Sequence, residues 1–252
     1  LPEDAFVFCC FNGTHKITRF TFDRWLEILC RVPNSVLWLL SGAEASHGRL
    51  KAYAESKGID PARIVFADKK ANPHHLARYQ LADLFLDTTP YGAHTTCSDA
   101  LWMGVPVLTL SGRTFASRVC GRAAGLPDEL VCTTAQDYID RAVAIGRGNG
   151  DIKAWREHLL ANRLTSTLFD TTKLVRHLEG LYVDMWQACL DDKLPQPDLT
   201  NLDTYFEMGL LHDHEAVEVQ TIADYKGFWR EKLVKRHAYR PVPFDNRLWK
   251  KP

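Results

Sequence analysis

Short apolar stretches alternate with segments of helical periodicity along the first 145 residues. The stretches are typical of buried strands, and between them apolar side chains recur at spacings of three and four residues. The predicted strands are residues 5–11, 35–40, 64–67, 84–87, 105–110 and 130–132, and the predicted helices are residues 22–30, 50–57, 74–82, 96–103, 116–124 and 135–145. Near-continuous apolar strands separated by helices predict a parallel sheet covered on both faces, a doubly wound α/β fold.

The pattern changes twice after this region. Residues 151–193 are helical, and we expect their apolar stripe to pack back on the sheet, so residues 1–194 are predicted to form one lobe. The stripe consists of Trp155, Leu159, Leu160, Leu174, Leu178, Leu181, Tyr182 and Trp186. Residues 195–252 form a predicted C-terminal extension, acidic over 203–225 and basic and aromatic over 226–251. It is either a tail that docks on its own lobe or on a missing one, or a partner interface.

Composition narrows the class of protein. The 252 residues are 46% hydrophobic, and 31 basic residues balance 31 acidic ones, so we expect neither nucleic acid nor a membrane as partner. No apolar run is long enough for a membrane helix, and seven scattered cysteines favour reduced thiols, so a cytoplasmic location is expected. The first residue is Leu, which suggests a piece of a longer chain.

The segment after the predicted strand 84–87 has the chemistry of a diphosphate site. Pro90 and Gly92 end the strand, and Thr95 and Thr96 stand at the start of the next helix. The first amides of a helix lack intrahelical acceptors and its dipole is positive there, so amides and hydroxyls together can bind a phosphate. Asp99 lies about one turn further on, within reach of a ribose.

Other candidates follow neighbouring strands. Lys16 lies in the turn after the first strand, where its ammonium could neutralise a diphosphate leaving group or simply be solvated. His75 and Arg78 lie on one helical face, and their planar side chains suit stacking on a nucleobase. The same residues are equally compatible with the start of an ordinary surface helix. His94 could shape the diphosphate site or face a sugar.

The sequence does not offer the residues that several other classes of site require. The adjacent His74 and His75 diverge on a helix, and no further ligand completes a metal site, so we expect no metal. There is no Ser-His-Asp order, no glycine-rich dinucleotide motif and no Walker lysine loop, which speaks against a hydrolase or a dehydrogenase.

Several ordered motifs resemble the C-terminal catalytic lobe of the O-linked N-acetylglucosamine transferase and SPINDLY family. The resemblance covers about residues 5–190. The resembling segments are residues 8–12 (FCCFN) with 16–17 (KI), 31–40 (RVPNSVLWLL), 80–83 (QLAD), 86–88 (LDT), 94–96 (HTT) with Asp99, 100–102 (ALW) and 116–119 (ASRV).

The resemblance implies a Rossmann-like lobe of a GT-B glycosyltransferase that holds a nucleotide sugar. It implies an N-terminal lobe, often preceded by tetratricopeptide repeats, that holds the acceptor protein. The implied reaction transfers a sugar to Ser or Thr with inversion and without metal or cofactor, the UDP-sugar being the donor substrate. By this resemblance Lys16 stabilises the leaving diphosphate, Thr95 and Thr96 bind phosphate, and Asp99 binds the ribose. His75 and Arg78 lie beside the uracil, and His94 lies at the sugar end.

The sequence departs from the family at two positions. Gly13 stands where animal members have a glutamine near the phosphates, and Asn72 replaces a lysine near the nucleoside. The segment 94–96 with Asp99 favours UDP-N-acetylglucosamine over GDP-fucose as donor. The alternatives are a GDP-fucose-dependent protein O-fucosyltransferase and a noncatalytic nucleotide-binding scaffold. We expect this chain alone to bind UDP with little or no transfer.

Overall fold

A computed structural model describes residues 1–122 and 127–250. It separates the chain into two compact units, Leu1–Leu174 and Val175–Pro252. The predicted division into a lobe of residues 1–194 and an extension of residues 195–252 stays a prediction. Among the described residues, no helix is both long enough and apolar enough to cross a membrane.

The first unit is built on a parallel sheet, which in the described residues has six strands in the order β3-β2-β1-β4-β5-β6. The strands are β1 (Phe6–Cys10), β2 (Ser35–Leu40), β3 (Ile64–Ala67), β4 (Leu84–Leu86), β5 (Val107–Leu110) and β6 (Val131–Cys132). In register, Cys9 of β1 lies opposite Trp38 of β2 on one side and Phe85 of β4 on the other. The predicted doubly wound α/β fold is confirmed, and each predicted strand is present: β2 and β3 have the predicted bounds, and the other four are slightly shorter than predicted.

Helices connect these strands, and two further helices of the first unit come after its last strand. They are α1 (Arg19–Arg31), α2 (Glu44–Ser56), α3 (Asn72–Arg78), α4 (Thr95–Trp102), α5 (Ala135–Ala144) and α6 (Ile152–Asn162). Three of them begin after a side chain that accepts a hydrogen bond from the amide three residues on: Thr18 before α1, Thr134 before α5 and Asp151 before α6. Gly104 follows α4 with φ +78°, and a Cβ there would lie 2.8 Å from Leu160 Cγ, so both backbone and space require glycine.

Two helix predictions need correction. Helix α2 starts at Glu44 rather than at residue 50, because His47 in its first turn stacks on Phe66 with ring centroids 3.8 Å apart, a contact that periodicity does not reveal. The predicted helix 116–124 is wrong in its described part, which holds only a 3-10 turn, Cys120–Arg122; residues 123 and 124 lie outside the described residues.

The apolar stripe of residues 151–193 is divided between the two units. In α6, Leu159 is buried and Trp155 packs against the core, as predicted, whereas Leu160 is 42% exposed. Most of α7 (Thr171–Leu190) belongs to the second unit, so its packing on the sheet stays a prediction. The apolar positions of α7 are Leu174, Leu178, Leu181, Tyr182 and Trp186, each between 42% and 65% exposed. Helical spacing indicates an amphipathic face but not whether anything covers it.

The second unit also contains α8 (Leu202–Leu210) and α9 (Tyr225–Tyr239). Arg236 of α9 is buried and its Nη2 lies 2.6 Å from Glu207 Oε2 of α8, which joins the two helices. Asp245 accepts hydrogen bonds from the side chains of Asn201 and Tyr205. The extension is therefore folded in itself, and its docking or partner role stays a prediction.

Candidate functional site

The candidate site lies where the order of the sheet reverses. Strands β1 and β4 are neighbours, and the chain leaves β1 toward β2 on one side and β4 toward β5 on the other. Ligands of doubly wound sheets bind at the carboxyl ends of the strands at this switch point. The segment after β1, residues 11–18, is called here the lysine loop, and the segment after β4, residues 87–94, is called the cradle loop.

Asp87 organises the cradle loop from within. Its buried carboxylate accepts hydrogen bonds from the amides of Thr88 (2.8 Å) and Ala93 (2.6 Å) and from the Thr109 hydroxyl (2.7 Å). Burial raises the pKa of Asp87, and these donors oppose the rise because they stabilise the charged form. A Cβ at Gly92 would lie 3.0 Å from Asp87 Oδ2, so the loop closes around the carboxylate only with a residue as small as glycine.

Asn12 connects the two loops with the helix that follows. The amide nitrogen of its buried side chain donates to Thr88 Oγ1 at 2.7 Å, and its side-chain oxygen accepts from the hydroxyl of Thr96. One amide side chain thus joins the lysine loop, the cradle loop and the start of α4. Because each of its hydrogen-bonding groups has a partner, the relative position of these three segments is set without a ligand.

Two helices hold the cradle loop from behind. The Thr21 hydroxyl of α1 donates to Thr89 O at 2.9 Å, and Arg24 Nη1 donates to Thr89 Oγ1 at 3.0 Å. From α5, the buried hydroxyl of Tyr138 donates to Asp87 O at 3.0 Å and accepts from Trp25 Nε1 at 3.1 Å. The cradle loop is therefore fixed by buried contacts on the side away from solvent.

Helix α4 begins at the mouth of the cradle loop. Thr95 is exposed and Thr96 half-buried, and the first hydrogen bond of this helix runs from Ser98 N to His94 O at 3.1 Å. The amides of the preceding residues come before that bond and so lack an acceptor within the helix. The predicted threonine pair thus stands at a helix start, with the hydroxyl of Thr96 donating to Asn12.

Lys16 reaches from the lysine loop to the cradle loop. Its Nζ donates to Gly92 O at 3.0 Å and lies 4.0 Å from the centroid of the Tyr91 ring. Partial burial lowers the pKa of Lys16, and the charge of Asp87 opposes this shift. No ion pair between described residues involves Lys16. The ammonium therefore lies at the predicted diphosphate end of the site with its charge uncompensated at close range.

His94 occupies the opposite side of the same loop. Its ring stacks on Tyr91 with centroids 5.0 Å apart, and Nε2 lies 3.2 Å from Ala116 O. The ring of Phe115 contacts that of His94 edge-on, with centroids 6.3 Å apart, and Phe115 is 77% exposed. His94 thus precedes α4 and borders an exposed aromatic surface.

His75 and Asp99 meet across α3 and α4. His75 Nε2 lies 4.0 Å from Asp99 Oδ2, and both side chains are mostly buried. Burial, reinforced by Arg78, lowers the pKa of His75, and burial raises the pKa of Asp99. Both shifts disfavour the charged forms, so we treat the pair as a neutral imidazole beside a carboxyl group rather than as a strong ion pair.

Arg78 lies on the same face of α3 as His75, as predicted. Its guanidinium is 5.7 Å from the centroid of Phe11, and Nη2 donates to Asp68 O at 2.8 Å. Nη1 is buried and has no hydrogen-bond partner in residues 1–122 or 127–250. Arg78 also lines an open cavity of about 500 Å³, together with Trp38, Phe66, Ala67, Asp68, Lys70, His74 and Leu81. Nη1 thus has hydrogen-bonding capacity that no described residue uses.

The two departures from the family pattern lie at opposite ends of this arrangement. Gly13 is half-buried in the lysine loop, and a Cβ there would lie 2.5 Å from His15 Cε1, so a longer side chain would displace that imidazole. Asn72 is exposed at the start of α3. Within the described ranges there is no cluster of three or more His, Cys, Asp or Glu side chains suited to a metal.

The fold therefore places the predicted residues along one edge of the sheet, in contacts that link them in small groups. The residues with structural roles there that were not predicted include Asp87, Asn12 and Tyr91. A polar residue directly after a buried strand was the signal available for Asp87 and Asn12. Nothing in the local sequence signals the contacts of Tyr91.

Comparisons with known proteins agree with this architecture. A mutant of the O-GlcNAc transferase of Thermobaculum terrenum superposes with a TM-score of 0.69 and 34% identity over 76% of this chain and 40% of that one. WaaG, a glycosyltransferase of lipopolysaccharide biosynthesis, matches with a TM-score of 0.52 at 20% identity, which shows the fold alone. The expected GT-B type of lobe is confirmed by these neighbours.

Relatives in sequence are named as peptide glycosyltransferases. The probable UDP-N-acetylglucosamine–peptide N-acetylglucosaminyltransferase SEC of Arabidopsis thaliana is 39% identical over 199 residues, 78% of this chain and 20% of the relative. The Caenorhabditis elegans UDP-N-acetylglucosamine–peptide N-acetylglucosaminyltransferase is 39% identical over 204 residues, 80% of this chain and 18% of the relative. The chain thus spans about a fifth of the length of these curated relatives. Residues 1–178 match the model of glycosyl transferase family 41, and the chain belongs to this family.

Proposed function

We propose that this chain is the donor-binding lobe of a protein O-glycosyltransferase that transfers N-acetylglucosamine from UDP-N-acetylglucosamine to Ser or Thr side chains. The observation that carries the proposal is the arrangement at the switch point of the sheet. Lys16 and the start of α4 lie at one end, and the His75–Asp99 pair and Arg78 lie at the other. A nucleoside diphosphate has its diphosphate at one end, its ribose in the middle and its base at the other end, which matches this arrangement.

Each side chain has a part in the proposed reaction. The acceptor hydroxyl forms a bond to the anomeric carbon and releases its proton to the departing UDP or to solvent, while the bond from that carbon to the β-phosphate oxygen breaks on the opposite face, which inverts the centre. The ammonium of Lys16, together with the amides and hydroxyls of Thr95 and Thr96, neutralises the charge that the departing UDP acquires. Asp99 accepts from the ribose, while His75 and Arg78 contact the uracil. His94 borders the sugar. We propose that no metal and no cofactor takes part.

The acceptor side of the proposed enzyme lies outside this chain. The relatives are about four times as long as this chain, which supports a further N-terminal lobe, preceded by tetratricopeptide repeats in our proposal, that binds the acceptor protein. We therefore expect this chain to bind UDP with little or no sugar transfer by itself. The cysteines are free thiols, which supports the cytoplasmic location that we propose. Neither nucleic acid nor a membrane is part of the proposal.

The test is a calorimetric titration of this chain with UDP, UDP-N-acetylglucosamine and GDP-fucose in the presence of a chelator. We expect both uridine nucleotides to bind at least about tenfold more tightly than GDP-fucose. The variant Thr96→Ala with Asp99→Ala should lose this binding. Thr133→Ala, which changes an exposed threonine away from the site, is the matched control and should bind like the unchanged chain.

Each outcome decides something definite. Binding of UDP that the double variant loses and the control keeps supports the proposal. Preferential binding of GDP-fucose would replace it with a protein O-fucosyltransferase. Tight UDP binding without any transfer after assembly with the missing lobe would instead favour a noncatalytic scaffold.

A further inference from the structure

The ring of Tyr91 contacts two residues of the proposed donor site. One face lies 4.0 Å from Lys16 Nζ, and the ring stacks on His94 with centroids 5.0 Å apart and an angle of 27°. Tyr91 is 47% exposed and stands in the cradle loop next to Gly92, whose carbonyl accepts from Lys16. The proposed function assigns no role to this tyrosine.

The hydrogen-bonding groups of Lys16 explain why such a ring matters. A lysine ammonium has three N–H donors and no acceptor. One donor goes to Gly92 O at 3.0 Å, and the electron-rich face of Tyr91 attracts the charge from a second direction. Because no carboxylate forms an ion pair with Lys16 among the described residues, the two remaining donors and most of the charge are available to an anion.

The ring itself is held in place by a second contact. His94, on which it stacks, lies with Nε2 3.2 Å from Ala116 O, and Gly92 N donates to the same carbonyl oxygen at 3.0 Å. A lysine side chain has four rotatable bonds, and a single hydrogen bond restricts its direction only in part. A ring that is fixed at 4.0 Å supplies the second restriction.

We propose that Tyr91 is a positioning residue that holds the ammonium of Lys16 toward the diphosphate of the donor. It acts through its ring face, so its hydroxyl is dispensable. This inference rests on the proposed function, since it assumes that a nucleoside diphosphate is the ligand.

The first test is a double-mutant cycle of UDP binding, with UMP as the comparison ligand. We expect Tyr91→Leu to weaken UDP binding about fivefold and UMP binding less than about twofold, because a contact of a cation with a ring contributes about 1 kcal/mol. Tyr91→Phe keeps the ring and should bind UDP like the unchanged chain. In a Lys16→Met background, Tyr91→Leu should have almost no further effect, because its route to the ligand is gone.

The opposite results are equally clear. Additive losses in the double variant, or a loss of UDP binding in Tyr91→Phe, would overturn the positioning role while leaving the proposed function intact. An equal loss of UMP and UDP binding would also overturn it, since a general disturbance of the cradle loop would then explain the effect.

A second measurement needs no ligand. In the free protein, the ring current of Tyr91 should shift the Hε proton resonances of Lys16 upfield, as seen by NMR with assignment through Lys16→Arg. Tyr91→Leu should remove this shift and Tyr91→Phe should preserve it. Absence of the shift in the unchanged chain would overturn the inference, whereas its presence in a chain that binds no UDP would support the positioning contact and overturn the proposed function.

Discussion

The two ends of the candidate site are built differently. At the diphosphate end, Asp87 and Asn12 use buried hydrogen bonds to join the cradle loop, the lysine loop and α4. At the nucleoside end, Arg78 has a buried nitrogen without a partner, and His75 and Asp99 stay 4.0 Å apart. The proposed diphosphate end is thus shaped by the protein alone, whereas the proposed nucleoside end leaves a nitrogen of Arg78 without a protein partner.

The largest expected effect is that of Asp87→Ala. It leaves the buried amides of Thr88 and Ala93 without their acceptor, so the free energy of unfolding should fall by about 3 kcal/mol and UDP binding should be lost. Chemical denaturation and calorimetry measure the two effects. Asp137→Ala removes only a surface ion pair with Arg141 and should cost less than about 1 kcal/mol. Equal effects of the two variants would contradict a preformed diphosphate end.

Thr96→Val should have the next largest effect. The two side chains have similar shapes, but valine leaves the side-chain oxygen of the buried Asn12 without its donor, which should lower the free energy of unfolding by about 1–2 kcal/mol. UDP should bind about tenfold more weakly, with uridine binding little changed, because the lost hydroxyl belongs to the diphosphate end. An equal loss for uridine and UDP would show that the two ends are not separate.

Arg78→Met tests the nucleoside end. Because the substitution removes one exposed hydrogen bond, from Nη2 to Asp68 O, and no partner of Nη1, we expect the free energy of unfolding to fall by about 1 kcal/mol. Binding should weaken about fivefold for uridine and for UDP alike, as expected for one hydrogen bond to the base. Calorimetric titration with both ligands measures this, and a loss confined to UDP would place Arg78 at the phosphates instead.

The smallest expected effect concerns pH. Since the pKa of His75 is lower in the folded chain than in the unfolded one, the unfolded state binds more protons below the ordinary value of about 6.5. Stability should therefore rise with pH up to about 6.5 and lose this contribution as pH falls. Denaturation of the chain and of His75→Gln between about pH 5 and 7.5 measures it. The slope should be shallower in the variant, and an unchanged slope would contradict the burial of a neutral imidazole.

Local sequence was sufficient to predict much of the fold, because the strands and helices of a doubly wound sheet differ in the periodicity of their apolar residues. The buried strands were predicted correctly, and the start of α4 at Thr95 was predicted to within one residue. Errors arose where a tertiary contact decided the outcome, as with the first turn of α2, which His47 stabilises by stacking on Phe66. The apolar stripe of α7 was correctly predicted to be helical.

In the candidate site, too, some features follow from local sequence and others depend on tertiary contacts. The residue types and order of Lys16, Thr95, Thr96 and Asp99 follow from motif and helix position, and parallel strands necessarily bring their loops to one edge. The buried role of Asp87 was missed because its donors come from separate parts of the chain, Thr109 among them. Tyr91 was missed because its partners are identified only by distances in space.

The sequence by itself determined the class of sheet, the family and the residues that can meet an anion and a nucleoside, because periodicity and motif spacing are local properties of a chain. Only the tertiary structure decided that the order of strands reverses between β1 and β4 and that Asp87 and Asn12 join three segments there. It also decided that Tyr91 lies against Lys16. These are contacts across roughly 75 residues of sequence, and they depend on how the elements pack together.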